Sequence, residues 1–180
     1  LIGVLNADST LALPDFRAGE RTFDLLHQVA GRAGRYRDDG LVIIQTMQPT
    51  APAILMAAQN DLERFYEMEL SQRRETMFPP FTRLVNLTIR GKDEAKVQKA
   101  SDSLEEAADA VGEGEAFRNI EVFSSSPCLI EKQASQYRYH VLLRSNNIAE
   151  LLTFTRTLLS LYKVPSGVHL EIDVDPSVLL

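Results

Sequence analysis

The segment Val85-Asn86-Leu87-Thr88-Ile89-Arg90-Gly91 alternates apolar and polar side chains and then reaches a glycine. Strict alternation places the apolar residues on one face, which is typical of a half-buried strand. The residues that follow change to helical spacing and end at a Gly-Glu-Gly turn, with apolar positions at Val97, Ala100, Leu104, Ala107 and Val111. The pattern therefore predicts a strand followed by an amphipathic helix.

The rest of the chain repeats these two periods in a definite order. Strand alternation returns near 120–122 and again at 139–143, helical spacing covers 148–162, and a last alternating run covers 168–174. The order strand, helix, strand, strand, helix, strand is that of the ferredoxin-like pattern, in which both helices lie on one face of an antiparallel sheet. We therefore expect an α+β ferredoxin-like domain over residues 81–180, although this fold serves many unrelated functions.

A proline pair separates this region from the residues before it. In Met77-Phe78-Pro79-Pro80-Phe81 neither proline has an N–H to donate, and Pro80 disfavours helical geometry at Pro79. We place a domain boundary here. Upstream, apolar residues at helical spacing predict one or two helices over 53–75, which form a helical connector over residues 51–80.

Residues 1–50 contain two apolar runs, at 1–5 and 41–44, on either side of a segment with helical spacing at 20–35. We expect two buried strands and a helix, the final part of an α/β sheet domain. The chain starts directly on an apolar run, at Leu1 rather than methionine, which suggests a piece of a longer protein; the alternative is a processed natural terminus.

The helical segment ends in Gln28-Val29-Ala30-Gly31-Arg32-Ala33-Gly34-Arg35. On a helix Gln28 and Arg32 are one turn apart, and Arg35 follows just beyond. A guanidinium group binds two phosphate oxygens at once and stays charged during phosphoryl transfer. Gly31 and Gly34 permit close approach of the backbone and a sharp turn. The motif predicts contacts to a triphosphate. The alternative is a surface helix whose arginines pair with Asp24, Asp38 or Asp39.

The chain lacks the loop that forms the main phosphate cradle of a nucleotide site. That loop ends in Gly-Lys-Ser/Thr, but the first lysine of this sequence is Lys92, which is followed by Asp93. ATP hydrolysis by this chain alone is therefore not expected.

The motif resembles motif VI of superfamily 2 helicases, and residues along essentially the whole chain resemble the PriA family of primosomal DNA helicases. The further residues that carry this resemblance are Asn6-Ala7-Asp8, Leu13-Pro14-Asp15-Phe16-Arg17-Ala18, Glu20-Arg21, Gln45-Thr46, Glu69-Leu70, Arg73-Arg74-Glu75, Pro79-Pro80-Phe81, Tyr137-Arg138-Tyr139, Leu142-Leu143 and Asp173-Val174-Asp175-Pro176.

The resemblance implies an ATP-dependent 3′-to-5′ DNA helicase that acts in primosome assembly and in the restart of stalled replication forks. Residues 1–50 would then belong to the second of two RecA-like lobes. Arg32 and Arg35 would reach across the cleft between the lobes to the γ-phosphate of ATP, with Gln28 assisting.

The resemblance also implies cofactors and partners. ATP and Mg²⁺ would be bound mainly by the first lobe of the full-length protein and zinc by a cysteine-rich insertion; this chain contains neither, and we expect no cofactor for it alone. The implied partners are forked or single-stranded DNA, single-stranded DNA-binding protein and other primosome proteins, in the bacterial cytoplasm at nucleoid-associated forks. No membrane contact is expected.

The residues are also compatible with two other classes of function. The chain could be a non-enzymatic DNA- or protein-binding module, or a regulatory domain for a small metabolite, although no Gly-rich ligand loop supports the latter. The net charge of -6 argues against a general polyanion binder. A local basic and aromatic surface remains possible around the fourth strand, with the alternative of a charged edge strand and core tyrosines; its residues are Lys132, Tyr137, Arg138, Tyr139 and Arg144.

No metal site is predicted. The three histidines have no partner at metal-ligand spacing, and the acidic residues of the last strand are interpreted as a solvated sheet face. These residues are His27, His140, His169, Glu171, Asp173 and Asp175. Cys128 is the one cysteine, so the chain has no internal disulfide, and we expect it to be a small buried residue.

Overall fold

The protein is described here by a computed structural model, which covers residues 1–33 and 40–179. Its contacts divide the chain into two compact units, Leu1–Thr76 and Met77–Leu180. None of the helices in the described part of the chain has the length and apolar content needed to cross a membrane.

The first unit combines a short parallel sheet with four helices. Its elements are β1 (Ile2–Val4), α1 (Asp8–Leu11), α2 (Ala18–Ala33), β2 (Val42–Ile44), α3 (Pro52–Gln59) and α4 (Leu62–Glu75). β1 and β2 pair in parallel. The helices supply most of the core, in which the Phe23 ring stacks on Phe65 with ring centroids 4.1 Å apart.

The prediction that both strands are buried is wrong. Leu1 and Leu5 are 85% and 80% exposed, and Ile43 in the middle of β2 is 55% exposed. In the described residues the sheet has only these two strands. Val4 and Ile44 pack against the helical core, so one face of the sheet is covered and the other is open.

The second unit is an antiparallel sheet with two long helices. Its elements are β3 (Arg83–Gly91), α5 (Glu94–Gly112), a 3₁₀ turn (Glu115–Phe117), β4 (Glu121–Val122), β5 (Ser126–Gln133), β6 (Gln136–Ser145), α6 (Ile148–Leu161) and β7 (Val168–Val174). The strand order is β4-β6-β3-β7, and β5 pairs with a different part of β6. The fourth predicted strand, at 139–143, corresponds to β6. It pairs with β3 on one side and with β4 and β5 on the other, so its interpretation as an edge strand is wrong.

The alternation predicted for β3 is confirmed, but its polar face is not solvated. Val85, Leu87 and Ile89 are completely buried in the hydrophobic core between the sheet and helices α5 and α6. Asn86 and Thr88, on the opposite face, are only 6% exposed. The cause is the central position of β3, which places side chains of β6 and β7 on both sides of each polar residue.

Candidate functional site

The helix that carries the predicted motif starts at a buried aspartate. The Asp15 carboxylate accepts hydrogen bonds from the Arg17 N–H at 2.8 Å and from Arg21 Nη1 at 3.2 Å. Its carbonyl oxygen accepts the Ala18 N–H at 2.9 Å. Asp15 thus satisfies donors at the first turn of α2 and fixes where the helix begins.

Gln28 and Arg32 both lie on the exposed side of α2, while Phe23 and Leu26 face the core. Gly31 lies between them, and a Cβ atom built on it would meet no atom of the described residues within 4 Å. Within residues 1–33 and 40–179, no side chain packs against the backbone at this point. Gly34 and Arg35, the other two predicted residues of the motif, lie outside the described residues.

Arg32 does not form the ion pair with Asp24 that the alternative interpretation of the motif predicts. Asp24 instead accepts a hydrogen bond from the Tyr66 hydroxyl at 3.4 Å. Within residues 1–33 and 40–179 Arg32 has no carboxylate within 4.0 Å. Pairing with Asp38 or Asp39 lies outside the described residues. Among the described residues the Arg32 side chain is thus exposed and forms no ion pair.

A buried ion-pair cluster holds α2 against α4. Arg73 of α4 is 8% exposed and donates from Nη2 to Glu20 at 2.9 Å and to Glu69 at 2.8 Å. Its guanidinium also lies 5.3 Å from the centre of the Phe16 ring. Burial opposes the charge, but the hydrogen bonds with Glu20 and Glu69 outweigh it and hold the pKa of Arg73 above its usual value. The cluster therefore fixes the orientation of the motif helix.

In the sequence, Glu20 is an acidic residue near the N-terminal end of a helix, where the dipole favours it, and Glu69 and Arg73 are noted only through the family resemblance. Glu69 and Arg73 are one helical turn apart on α4, which is a visible signal for a pair. Glu20 is separated from Arg73 by 53 positions, so no local spacing indicates the link between the two helices.

A second carboxylate ties together the loops that follow the two parallel strands. Asp8 accepts hydrogen bonds from the Thr46 hydroxyl at 2.7 Å and the Met47 N–H at 2.8 Å. The hydrogen bonds from Met47 and Thr46 hold the pKa of Asp8 below its usual value. Loops at the carboxyl ends of parallel strands are the usual ligand-binding edge of α/β sheets.

In the second unit, the predicted basic and aromatic surface of β6 is divided between two faces. Tyr137 and Tyr139 pack against the core, whereas Arg138 and Arg144 point to the opposite side of the sheet. Lys132 lies 4.6 Å from the centre of the Tyr137 ring. Arg144 is paired with Glu121, with Nε 2.8 Å from the carboxylate.

Two further sheet arginines, Arg83 and Arg90, are paired with carboxylates in the same way, whereas Arg138 donates to the neutral Gln133 side chain. Arg83 donates from Nε to Asp175 at 2.8 Å, and Arg90 pairs with Glu171. Two of the acidic residues that were interpreted as solvated thus bind arginines. Phosphate would have to compete with these carboxylates, so the open sheet face is a poor candidate for binding a nucleic-acid backbone.

Two buried polar atoms on this face have no hydrogen-bond partner among the described residues: Asn86 Oδ1 and His140 Nδ1. The other ring nitrogen of His140 lies 3.1 Å from the Ser126 hydroxyl. Burial, and to a smaller extent the charge of Arg138, lower the pKa of His140. His140 has no predicted role, because no residue lies at metal-ligand spacing from it in the sequence.

The residues fit only part of the cofactor set that the resemblance implies. Exposed Arg32 beside the open backbone at Gly31 suits the terminal phosphate of a nucleotide. For a metal, the described residues contain no group of three or more His, Cys, Asp or Glu side chains that could bind one. Cys128 is buried, and burial raises the pKa of its thiol.

The chain was compared with known proteins and structures. It is 42% identical over 98% of its length to Replication restart protein PriA of Treponema pallidum, of which it covers 26%, and 33% identical over its full length to that of Bacillus subtilis, of which it covers 22%. It thus spans about a quarter of these relatives. The designed protein Foldit4 aligns with 53% of this chain and 98% of its own, at 16% identity and a TM-score of 0.39, a likeness too weak to inform function.

The family model described as Primosomal protein N C-terminal domain matches residues 74–177, which is more than half of the chain. The matched region begins within the last turn of α4 and extends through β7. On this match and on the similarity to the replication restart proteins, the chain belongs to the PriA family and contains its C-terminal domain.

Proposed function

We propose that this chain is the C-terminal part of an ATP-dependent 3′-to-5′ DNA helicase that acts in primosome assembly and in the restart of stalled replication forks. The observation that carries the proposal is the exposed pair Gln28 and Arg32 on a helix held by buried ion pairs. Its relatives are named replication restart proteins, which supports the cellular role.

In this proposal the motif residues act on the terminal phosphate of ATP, which supplies the bond to be hydrolysed and is bound with Mg²⁺ mainly by another part of the full-length protein. Arg32 and Arg35 stabilise the negative charge that develops there, and Gln28 orients the reacting groups. Gly31 and Gly34 let the backbone come close. Arg73, Glu20 and Glu69 keep α2 in place while charge moves.

We also propose how the two units are classified. The parallel pair β1 and β2 with helix α2 between them supports a part of a RecA-like lobe. The strand order β4-β6-β3-β7 with α5 and α6 supports the ferredoxin-like assignment of the second unit. The proposed partners are forked or single-stranded DNA, single-stranded DNA-binding protein and other primosome proteins, in the bacterial cytoplasm.

The test is DNA-stimulated ATP hydrolysis by the full-length protein carrying Arg32→Ala or Arg35→Ala. Removing an arginine that stabilises phosphoryl transfer is expected to lower kcat by about a thousandfold. Arg64→Ala is the matched control, because Arg64 is an exposed arginine on the neighbouring helix α4. Circular dichroism should show unchanged folding. Turnover equal to that of Arg64→Ala would contradict the proposed role.

A second candidate is a non-enzymatic DNA- or protein-binding module, favoured by the match of the family model to residues 74–177 alone. In that case the Arg32→Ala protein would keep its turnover, while removal of the second unit would abolish binding to forked DNA. The two readouts separate the candidates.

A further inference from the structure

The second unit has a cavity of about 320 Å³ between helix α5 and the loop that precedes β7. This volume is at the lower end of the range for small-ligand sites. The cavity is lined by Lys96, Lys99, Ala100, Ser103, Pro165 and Ser166. It lies on the helical side of the sheet, away from the paired arginines of the open face.

The charges of the two lysines are not neutralised within the described part of the chain. Neither Lys96 nor Lys99 has a carboxylate within 4.0 Å, in contrast to Arg83, Arg90 and Arg144 on the sheet. A lysine ammonium has three N–H donors and no acceptor, so it needs an acceptor-rich partner. In a protein of net charge -6, two free cations at one cavity mark a local anion site.

The hydroxyls of Ser103 and Ser166 complete the polar lining. Hydroxyl and ammonium groups are both hydrogen-bond donors, and the oxygens of a tetrahedral anion accept from both. Ala100, Pro165 and the lysine stems add apolar wall, against which a sugar or base can lie. The lining therefore suits a phosphate attached to an organic body.

The walls of the cavity are held by contacts inside the protein. The Tyr162 hydroxyl donates to the Ala100 carbonyl oxygen at 2.7 Å, which ties the loop after α6 to α5. Gly167 has a φ of +91°, and its carbonyl oxygen would lie 3.0 Å from a Cβ atom at Gly91. Because the walls of the cavity are already ordered, ligand binding costs less conformational entropy.

We propose that this cavity binds a phosphate group, carried by a nucleic-acid strand or by a nucleotide. The strand as the source rests on the proposed DNA-binding function, whereas the phosphate chemistry rests on the cavity itself. Binding at this place would put DNA contact on the helical side of the unit and leave the ion-paired sheet face free.

The experiment uses the 180-residue chain and a fluorescent oligothymidylate, with binding followed by anisotropy. The double variant Lys96→Gln with Lys99→Gln is expected to bind on the order of tenfold more weakly, and the slope of log K against log salt should fall by about 0.7 for each phosphate contact removed. Lys96→Arg with Lys99→Arg should keep most of the affinity. Arg156→Gln, an exposed cation on α6 outside the cavity, is the matched control.

Adenosine 5′-monophosphate serves as the second probe, in competition and by calorimetry. If the nucleotide competes with the strand for the chain, the site is supported and accepts a nucleotide phosphate. If only the strand binds, and its binding depends on the two lysines, the site is supported and its phosphate comes from the strand. Lysine-dependent nucleotide binding without strand binding supports the cavity and contradicts DNA binding by this chain. If the chain binds the strand and the Gln variants match Arg156→Gln in affinity and salt slope, the cavity proposal is overturned. If neither probe binds, the cavity proposal is also overturned, while the proposed helicase function keeps its separate test in ATP hydrolysis by the full-length protein.

Discussion

His140 is the residue whose environment most clearly opposes its ionisation. Burial and the neighbouring Arg138 lower its pKa from the ordinary 6.5, and Nδ1 has no partner among the described residues to stabilise an added proton. The unfolded chain therefore takes up this proton at higher pH than the folded chain does. The stabilisation is present above about pH 6.5 and is lost as the pH falls through the lower folded value.

We expect the urea midpoint of the second unit to decrease between about pH 7 and about pH 5 for this reason. His140→Gln removes the titrating group and should flatten that dependence, measured by circular dichroism at a series of pH values. His169→Gln is the control, because His169 is an exposed histidine on the same sheet. Equal pH dependence in the original chain and His140→Gln would exclude His140 as the cause.

Single residues also mark where sequence reasoning succeeds. Gln28 and Arg32 are predicted from helical spacing, and both lie on the exposed side of α2. Asn86 and Thr88 are predicted on the polar face of a strand, but their burial does not follow from alternation. Alternation assigns a side chain to a face, whereas the residues that cover that face come from β6 and β7.

At the level of whole elements, α2 and α4 are joined by charge as well as by aromatic packing. Arg73→Ala leaves the buried Glu69 without its cation and removes the link to the partly exposed Glu20, and the free energy of unfolding of the first unit should fall by about 3 kcal/mol. Urea denaturation followed by circular dichroism measures this change. Arg64→Ala, on the exposed side of α4, should change stability by less than about 0.5 kcal/mol. A similar effect of both variants would mean that the cluster contributes little.

Elements differ in how far their sequence predicts them. The helices α5 and α6 occur where apolar residues repeat at helical spacing, because each packs one continuous face on the sheet. The strand predicted near 120–122 is instead divided into β4 and β5, and the pairing with β6 changes register between Pro127 and Lys132. Such an irregularity depends on pairing along β6 and leaves no periodic signal.

For the whole molecule, the two units have separate hydrophobic clusters, with Phe65 in the first and Leu143 in the second. We expect Phe65→Ala to lower the stability of the first unit by about 3–5 kcal/mol and Leu143→Ala to lower that of the second by about 2–5 kcal/mol. Hydrogen exchange resolved by segment would show loss of protection confined to the altered unit. Equal loss in both units after either change would contradict separate unfolding.

The order of strands and helices in the second unit follows from periodicity, since each element there has its own clear pattern. The first unit is less predictable. Apolar runs at 1–5 and 41–44 indicate strands, but their exposure depends on how many strands lie beside them and not on their own composition.

The arginine–carboxylate pairs of the sheet also act as a check on alignment during folding. Arg90 pairs with Glu171 in the middle of β7, and Arg83 pairs with Asp175 just after the end of the strand. A slip of one residue would break both pairs at once and turn Val168 and Leu170 away from the helices. Misaligned chains would thus carry two unmatched arginines together with misplaced apolar groups, which selects a single alignment of the last strand.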